Sequence, residues 1–124
     1  MQIEKPSARP RLLDAALGLI RSKGYEATTV DELCAAAGVT KGAFFHHFRS
    51  KEELGIAAAD HFGAKADVMF GGMPYMQLED ALQRLLGYID LRIAIISGSL
   101  PQFTCLLGTM VQETFDTAPA IRDA

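Results

Sequence analysis

The sequence predicts an all-α fold. Apolar residues recur at the three-and-four spacing of helices along most of the 124 residues. No stretch alternates apolar and polar residues as a half-buried strand does, and no internal repeat is present. The breaks between periodic segments fall on glycine, proline or serine clusters.

Met1 to about Ala8 is expected to be a loose arm. Pro10 suits a helix's first turn. Leu12, Leu13, Ala16, Leu17 and Ile20 form its core-facing stripe, and Lys23-Gly24 marks its end. In the second helix Val30, Leu33, Cys34 and Ala37 share one face. Thr29 can cap it, with Glu32 in the capping-box position, and Gly38 can end it. Thr40 restarts a helix as its N-cap. Phe44 and Phe48 face inward there, leaving Lys41, Gly42, Ala43, Phe45, His46 and His47 to face away. Two short helices joined by a glycine turn form a helix-turn-helix, whose second helix can enter a DNA major groove.

Ser50 caps a fourth helix, with Glu53 in its capping-box position. That helix runs to about Phe70, carrying Leu54, Ala58, His61, Phe62, Lys65 and Met69, and Gly71-Gly72 with Pro74 stops it. A fifth helix is expected from about Leu78 to Ile96. Leu78, Leu82, Leu85 and Ile89 define its buried stripe, widened by Leu86 and Ile93. Ser97-Gly98-Ser99 breaks it. Pro101 begins a sixth helix carrying Phe103, Leu106, Leu107, Met110, Val111 and Phe115, and Thr117 to Pro119 signals another start.

The residues are 49% apolar and 22% charged, an ordinary globular balance. A chain of this length buries roughly two-thirds of its unfolded surface. No apolar run approaches the ~18 residues of a membrane span. The start, Met1-Gln2-Ile3-Glu4-Lys5-Pro6, has no signal-peptide core, so the chain reads as cytoplasmic. Net charge is −3, but it is unevenly placed. Residues 1–51 hold eight basic and five acidic side chains; residues 52–124 hold four basic and ten acidic. Phosphate binding needs a local positive surface, not a positive total.

The stretch Thr28-Thr29 through Leu54 resembles the DNA-binding signature of the TetR family of bacterial repressors. The string Ala37-Gly38-Val39-Thr40-Lys41-Gly42-Ala43-Phe44-Phe45-His46-His47-Phe48-Arg49-Ser50-Lys51-Glu52-Glu53-Leu54 follows the family pattern almost position by position. Gly24-Tyr25 and the stretch from Leu12 fit as well. Phe45 departs from it: the family usually carries a tyrosine there, whose hydroxyl commonly reaches a phosphate. Phe45 is left with an apolar contact. The resemblance is strong over residues 9–54 and weaker over 55–124. There Phe103-Thr104-Cys105-Leu106-Leu107-Gly108 and Asp116-Thr117-Ala118-Pro119-Ala120-Ile121-Arg122 look like effector-domain segments.

The resemblance implies a helix-turn-helix DNA-binding domain over residues 1–52, then a partial helical effector-binding and dimerisation domain over 53–124. Family chains are generally longer, with dimerising helices near the C-terminus, so the body reads as truncated.

Candidate DNA-binding residues are Thr29, Thr40, Lys41, Gly42, Ala43, Phe45, His46, His47 and Lys51. Thr40 and the helix N–H groups beside it suit a phosphate, with plain capping as the alternative. Lys41 can reach a phosphate or guanine O6/N7, or remain solvated. Gly42 and Ala43 allow close approach, and Ala43 can touch a thymine methyl. By resemblance, His47 and Lys51 contact phosphate. His46 and His47 diverge by about 100° on a helix and make no metal set.

Candidate effector-lining residues are His61, Met69, Phe70, Met73, Tyr88, Phe103, Cys105 and Met110, with Tyr75 beside them; an ordinary helical core is the alternative. Cys34 reads as core filler, and Cys105 as an inert buried thiol, with a sensor of electrophiles or oxidants as the alternative. The expected partners are a pseudo-palindromic double-stranded DNA operator, a small-molecule effector and a second copy of the chain. No cofactor, metal or catalytic constellation emerges. The predicted function is ligand-responsive transcriptional regulation by repression. The rivals are a DNA-incompetent fragment acting through subunit mixing, and a small helical ligand-binding protein or enzyme.

Overall fold

A computed structural model describes residues 6–124; most of the expected arm lies outside these. Among them the regular structure is helical: α1 (Ala8–Lys23), α2 (Val30–Ala37), α3 (Lys41–His47), α4 (Lys51–Gly71), a 3₁₀ turn (Pro74–Gln77), α5 (Ala81–Ile95), α6 (Leu100–Phe103), α7 (Leu106–Thr114) and α8 (Pro119–Asp123).

The first four helices form where their stripes and caps place them. All five stripe residues of α1 are buried. Both arms of the α2 capping box are made: Glu32 N–H donates to Thr29 Oγ1 at 3.2 Å, and Thr29 N–H donates to Glu32 Oε2 at 2.9 Å. Gly38 ends α2 in the left-handed region at φ 65°, which costs glycine nothing. Ser50 accepts the Glu53 N–H at 3.1 Å as expected. The Glu53 carboxylate, however, takes the N–H of Arg49 at 3.0 Å.

One apolar core runs through both halves of the chain. Phe44, Phe48, Leu33 and the α1 stripe join Leu54 and Ala58 of α4 and Leu106, Met110, Ala118 and Ile121 of the C-terminal helices. Each large side chain so buried contributes about 1.5–3 kcal/mol. Gly55 sits where they converge. A Cβ there would lie 3.1 Å from the Tyr25 ring, 3.2 Å from Ile121 and 3.2 Å from Met110. Its missing side chain lets α4 approach the junction this closely.

The second half departs from expectation in three places. α5 starts at Ala81, because Asp80 caps it by accepting the Gln83 N–H at 3.0 Å. The stripe of Leu78, Leu82, Leu85, Leu86, Ile89 and Ile93 is not buried; Leu82 is 58% and Ile93 65% exposed. α5 packs chiefly on the 3₁₀ turn, and its apolar face is otherwise largely uncovered among the described residues. The expected sixth helix is two, α6 and α7. Thr104 between them is extended, and its carbonyl lies 3.5 Å from an Arg21 guanidinium nitrogen that donates to it.

Candidate nucleic-acid interface and effector cleft

α3 is held from behind and open in front. Phe44 and Phe48 are buried beneath it. Thr40 caps it, its Oγ1 accepting the Ala43 N–H at 3.1 Å. Arg11, from α1, grips the turn by donating to the carbonyls of Ala37 at 2.9 Å and Gly38 at 3.1 Å. Those donors satisfy carbonyls that the end of α2 leaves unpaired.

The outer face carries Lys41, Gly42, Phe45 and His46, all exposed, with Ala43 and His47 half-buried. Phe45 is 51% exposed, unusual for a phenylalanine this close to a core. A Cβ on Gly42 would find only Thr40 Oγ1, at an ordinary 3.8 Å, so internal packing does not demand glycine there.

Three of the expected contact residues already have partners. Lys41 pairs with Asp31 of α2 at 3.0 Å, both ends exposed. The Thr29 hydroxyl is engaged within its capping box, donating to Glu32 Oε2 at 3.0 Å. Lys51 donates to the carbonyls of Tyr25 at 3.2 Å and Glu26 at 3.5 Å, with its Nζ 4.3 Å from the Tyr25 ring centroid. It braces the turn before α2 as well as standing beside α3. The rings of His46 and His47 meet edge to face, centroids 5.0 Å apart.

Behind the head, a cleft of about 480 Å³ opens between α1, α4, α5 and the α6–α7 segment. Four of the expected effector residues line it: Met69, Phe70, Phe103 and Cys105. The other four do not. His61 turns towards α1, its Nε2 2.9 Å from Asp14 Oδ1. Met110 is buried in the core under Gly55. Tyr88 stacks against Phe70 and Tyr75, with both centroid distances 6.0 Å, and Met73 opens the 3₁₀ turn. A helical stripe shows which residues are apolar but not which side of a neighbour they meet.

Sequence reasoning missed Arg21 and Arg92 as lining residues, along with Phe62 and Gln102. Arg21 lies over the Phe62 ring, 5.6 Å from its centroid, and Arg92 over the Phe70 ring at 5.9 Å. The visible signal was Arg92, late in α5 and flanked by Leu91 and Ile93. Cys34 is buried as expected, and burial pushes its thiol pKa up. Cys105 is not the buried thiol expected: it stands at the N-cap of α7 on the wall of the open cleft and is exposed.

A short helix projected by a left-handed glycine turn, with an exposed outer face, defines the helix-turn-helix class. Residues 12–58 match the family described as Bacterial regulatory proteins, tetR family. The chain is 37% identical over 54 residues to an uncharacterized HTH-type transcriptional regulator, YerO, of Bacillus subtilis, covering 44% of this chain and 19% of that protein. It is 44% identical over 50 residues to the HTH-type transcriptional repressor KstR2 of Rhodococcus jostii, covering 40% of this chain and 24% of that protein. The crystal structure of a TetR-family transcriptional regulator from Cytophaga hutchinsonii superposes with a TM-score of 0.78 at 25% identity, over 98% of this chain and 62% of that one. Residues 12–58 thus carry the DNA-binding signature of the TetR family, and the described fold as a whole is similar to that of a TetR-family regulator. The chain spans less than two-thirds of the length of these relatives. No helix among the described residues is long and apolar enough to cross a membrane.

Proposed function

We propose that the chain is a ligand-responsive transcriptional regulator of the cytoplasm, a repressor that leaves its operator when a small molecule fills the cleft. α3 enters the major groove. Thr40, His47 and Lys51 position it on phosphates, and Lys41, Gly42, Ala43, Phe45 and His46 face the bases. Two copies place their α3 helices about one DNA turn apart, roughly 34–36 Å, on a pseudo-palindromic site.

The outer face of α3 carries this reading. Gly42 is a poorer helix former than alanine, even in the exposed first turn of α3. Nothing inside the fold requires glycine there, whereas close approach of an external backbone does. The cleft is walled by α1 of the head and by the start of α7, which packs on α1, so a ligand there acts on the helix that holds α3. It can release DNA only through differential affinity for the bound and free arrangements.

The test is selection from a randomised duplex pool, followed by titration at moderate salt. Enrichment of a two-fold sequence, with at least tenfold weaker binding by Gly42→Leu and unchanged circular dichroism, is the expected result. Absence of any enriched sequence, or equal binding by the variant, overturns the proposal and favours a DNA-incompetent chain.

A further inference from the structure

The cleft is selective in its charge. Residues 52–124 hold ten acidic and four basic side chains, yet two of those four basic residues, Lys65 and Arg92, line the cleft and none of the ten acidic ones does. Arg21 of α1 adds a third cation. Lys65 is partly answered by Asp14, 2.9 Å away. The two arginines are not answered: neither makes a salt bridge among the described residues. Arg21 donates only to the carbonyls of Leu17 at 2.9 Å and Thr104 at 3.5 Å, which leaves most of its five N–H groups free. Burial lowers its pKa, with only the neighbouring Cys105 acting the other way.

The remaining walls are apolar, and the two arginine-bearing rings, Phe62 and Phe70, stand two turns apart on α4. An arginine stacked on a ring presents its N–H fork edgewise, the geometry that suits a carboxylate. The cleft's volume lies in the usual range for small-molecule sites.

We propose that the cleft takes a small amphipathic anion, a carboxylate on an apolar body, with its head between Arg21 and Arg92 and its body against Phe62, Met69, Phe70 and Phe103. This rests on the reading of the cleft as the effector site. A neutral or cationic ligand of equal shape leaves both guanidinium groups without an anion, so charge and not shape decides selection.

The test is calorimetric titration of the full chain with decanoate and 2-naphthoate, against their primary amides and decylamine. At least one carboxylate should bind tenfold or more tightly than its amide. Arg92→Gln should erase that preference, and Arg92→Lys should keep part of it. Arg21→Gln should act as Arg92→Gln does, but Arg21 also holds the α6–α7 break, so Arg92 is the cleaner probe. Equal or tighter binding of amide or amine, no binding by either carboxylate, or a preference that survives both glutamine variants overturns the inference. A parallel DNA-release assay separates it from the reading beneath it. An amide that binds and releases DNA removes only the anion selectivity. A carboxylate that binds through Arg92 without altering DNA occupancy removes only the effector role.

Discussion

The carboxylate of Glu113, on α7, accepts the backbone N–H of Tyr25 at 2.6 Å, and its other oxygen lies 3.4 Å from that of Glu26. Lys51 takes the carbonyls of the same two residues from the side of α4. The turn that leads into α2 is thus gripped at its donors by the body and at its acceptors by the head's last helix. α7 begins beside Cys105 in the cleft and carries Glu113 two turns later, so one short helix links the cleft wall to the base of the helix-turn-helix.

Glu113→Ala should therefore loosen the turn without dissolving the fold. A hydrogen bond to a charged group contributes about 1.5–3 kcal/mol. The urea midpoint should fall accordingly, and the amides of Tyr25 and Glu26 should exchange hydrogen faster. Glu113→Gln should retain part of the protection. Unaltered exchange at Tyr25 in the alanine variant means that the contact does not hold the turn.

Asp31→Asn should raise affinity for cognate and random DNA alike. Asp31 pairs with Lys41 across an exposed gap, an interaction worth about 0–1 kcal/mol that must open before Lys41 meets DNA. Removing the carboxylate also removes a like charge facing the phosphates. Titration at two salt concentrations measures it; weaker binding by the variant would show that Asp31 makes a favourable contact of its own.

Lys51→Ala should do two things. If Lys51 neutralises a phosphate, the slope of log affinity against log salt falls by about one unit on any sequence. Because Lys51 also braces Tyr25, the variant should unfold at lower urea even without DNA. A change in stability with an unchanged salt slope makes the residue a brace alone.

The head was readable because its determinants are local. Thr29 with Glu32, Gly38, and Thr40 with Phe44 lie within a few residues of each other, and caps and periodicity act at that range. The body was less so. The periodicity of α5 defined an apolar face correctly, but no local signal says whether anything covers it. The break at Thr104 coincides with a contact to Arg21, 83 residues away. Met110 and Phe103 look alike in a stripe, yet one lies in the core and the other lines the cleft. Arg11, Glu113 and Arg21 each work through backbone groups distant in sequence, which composition and spacing do not reveal.

Stability should fall at both ends of the pH scale, through two residues flanking the same turn. The Lys23 ammonium, then the Thr29 N–H and hydroxyl, hold the Glu32 carboxyl down to about 2 from an ordinary 4.5. A depressed acid stabilises the fold fully above its unfolded pKa, so this contribution is lost as pH falls from 4.5 towards 2. Asp14, lowered first by its hydrogen bond from Lys65 and then by His61, acts in the same direction. Tyr25 behaves oppositely: burial, then Glu52 and Glu26, pushes its phenol up to about 12 from 10. The fold favours the neutral phenol, so its contribution is complete below pH 10 and lost as pH rises towards 12. Urea midpoints across pH should show an acid limb that Glu32→Gln makes shallower and an alkaline limb that Tyr25→Phe makes shallower. Each variant should leave the opposite limb unchanged. If Tyr25→Phe leaves the alkaline limb as steep as before, the phenol is not its source, and the buried position of Tyr25 serves packing against Gly55 and Lys51 alone.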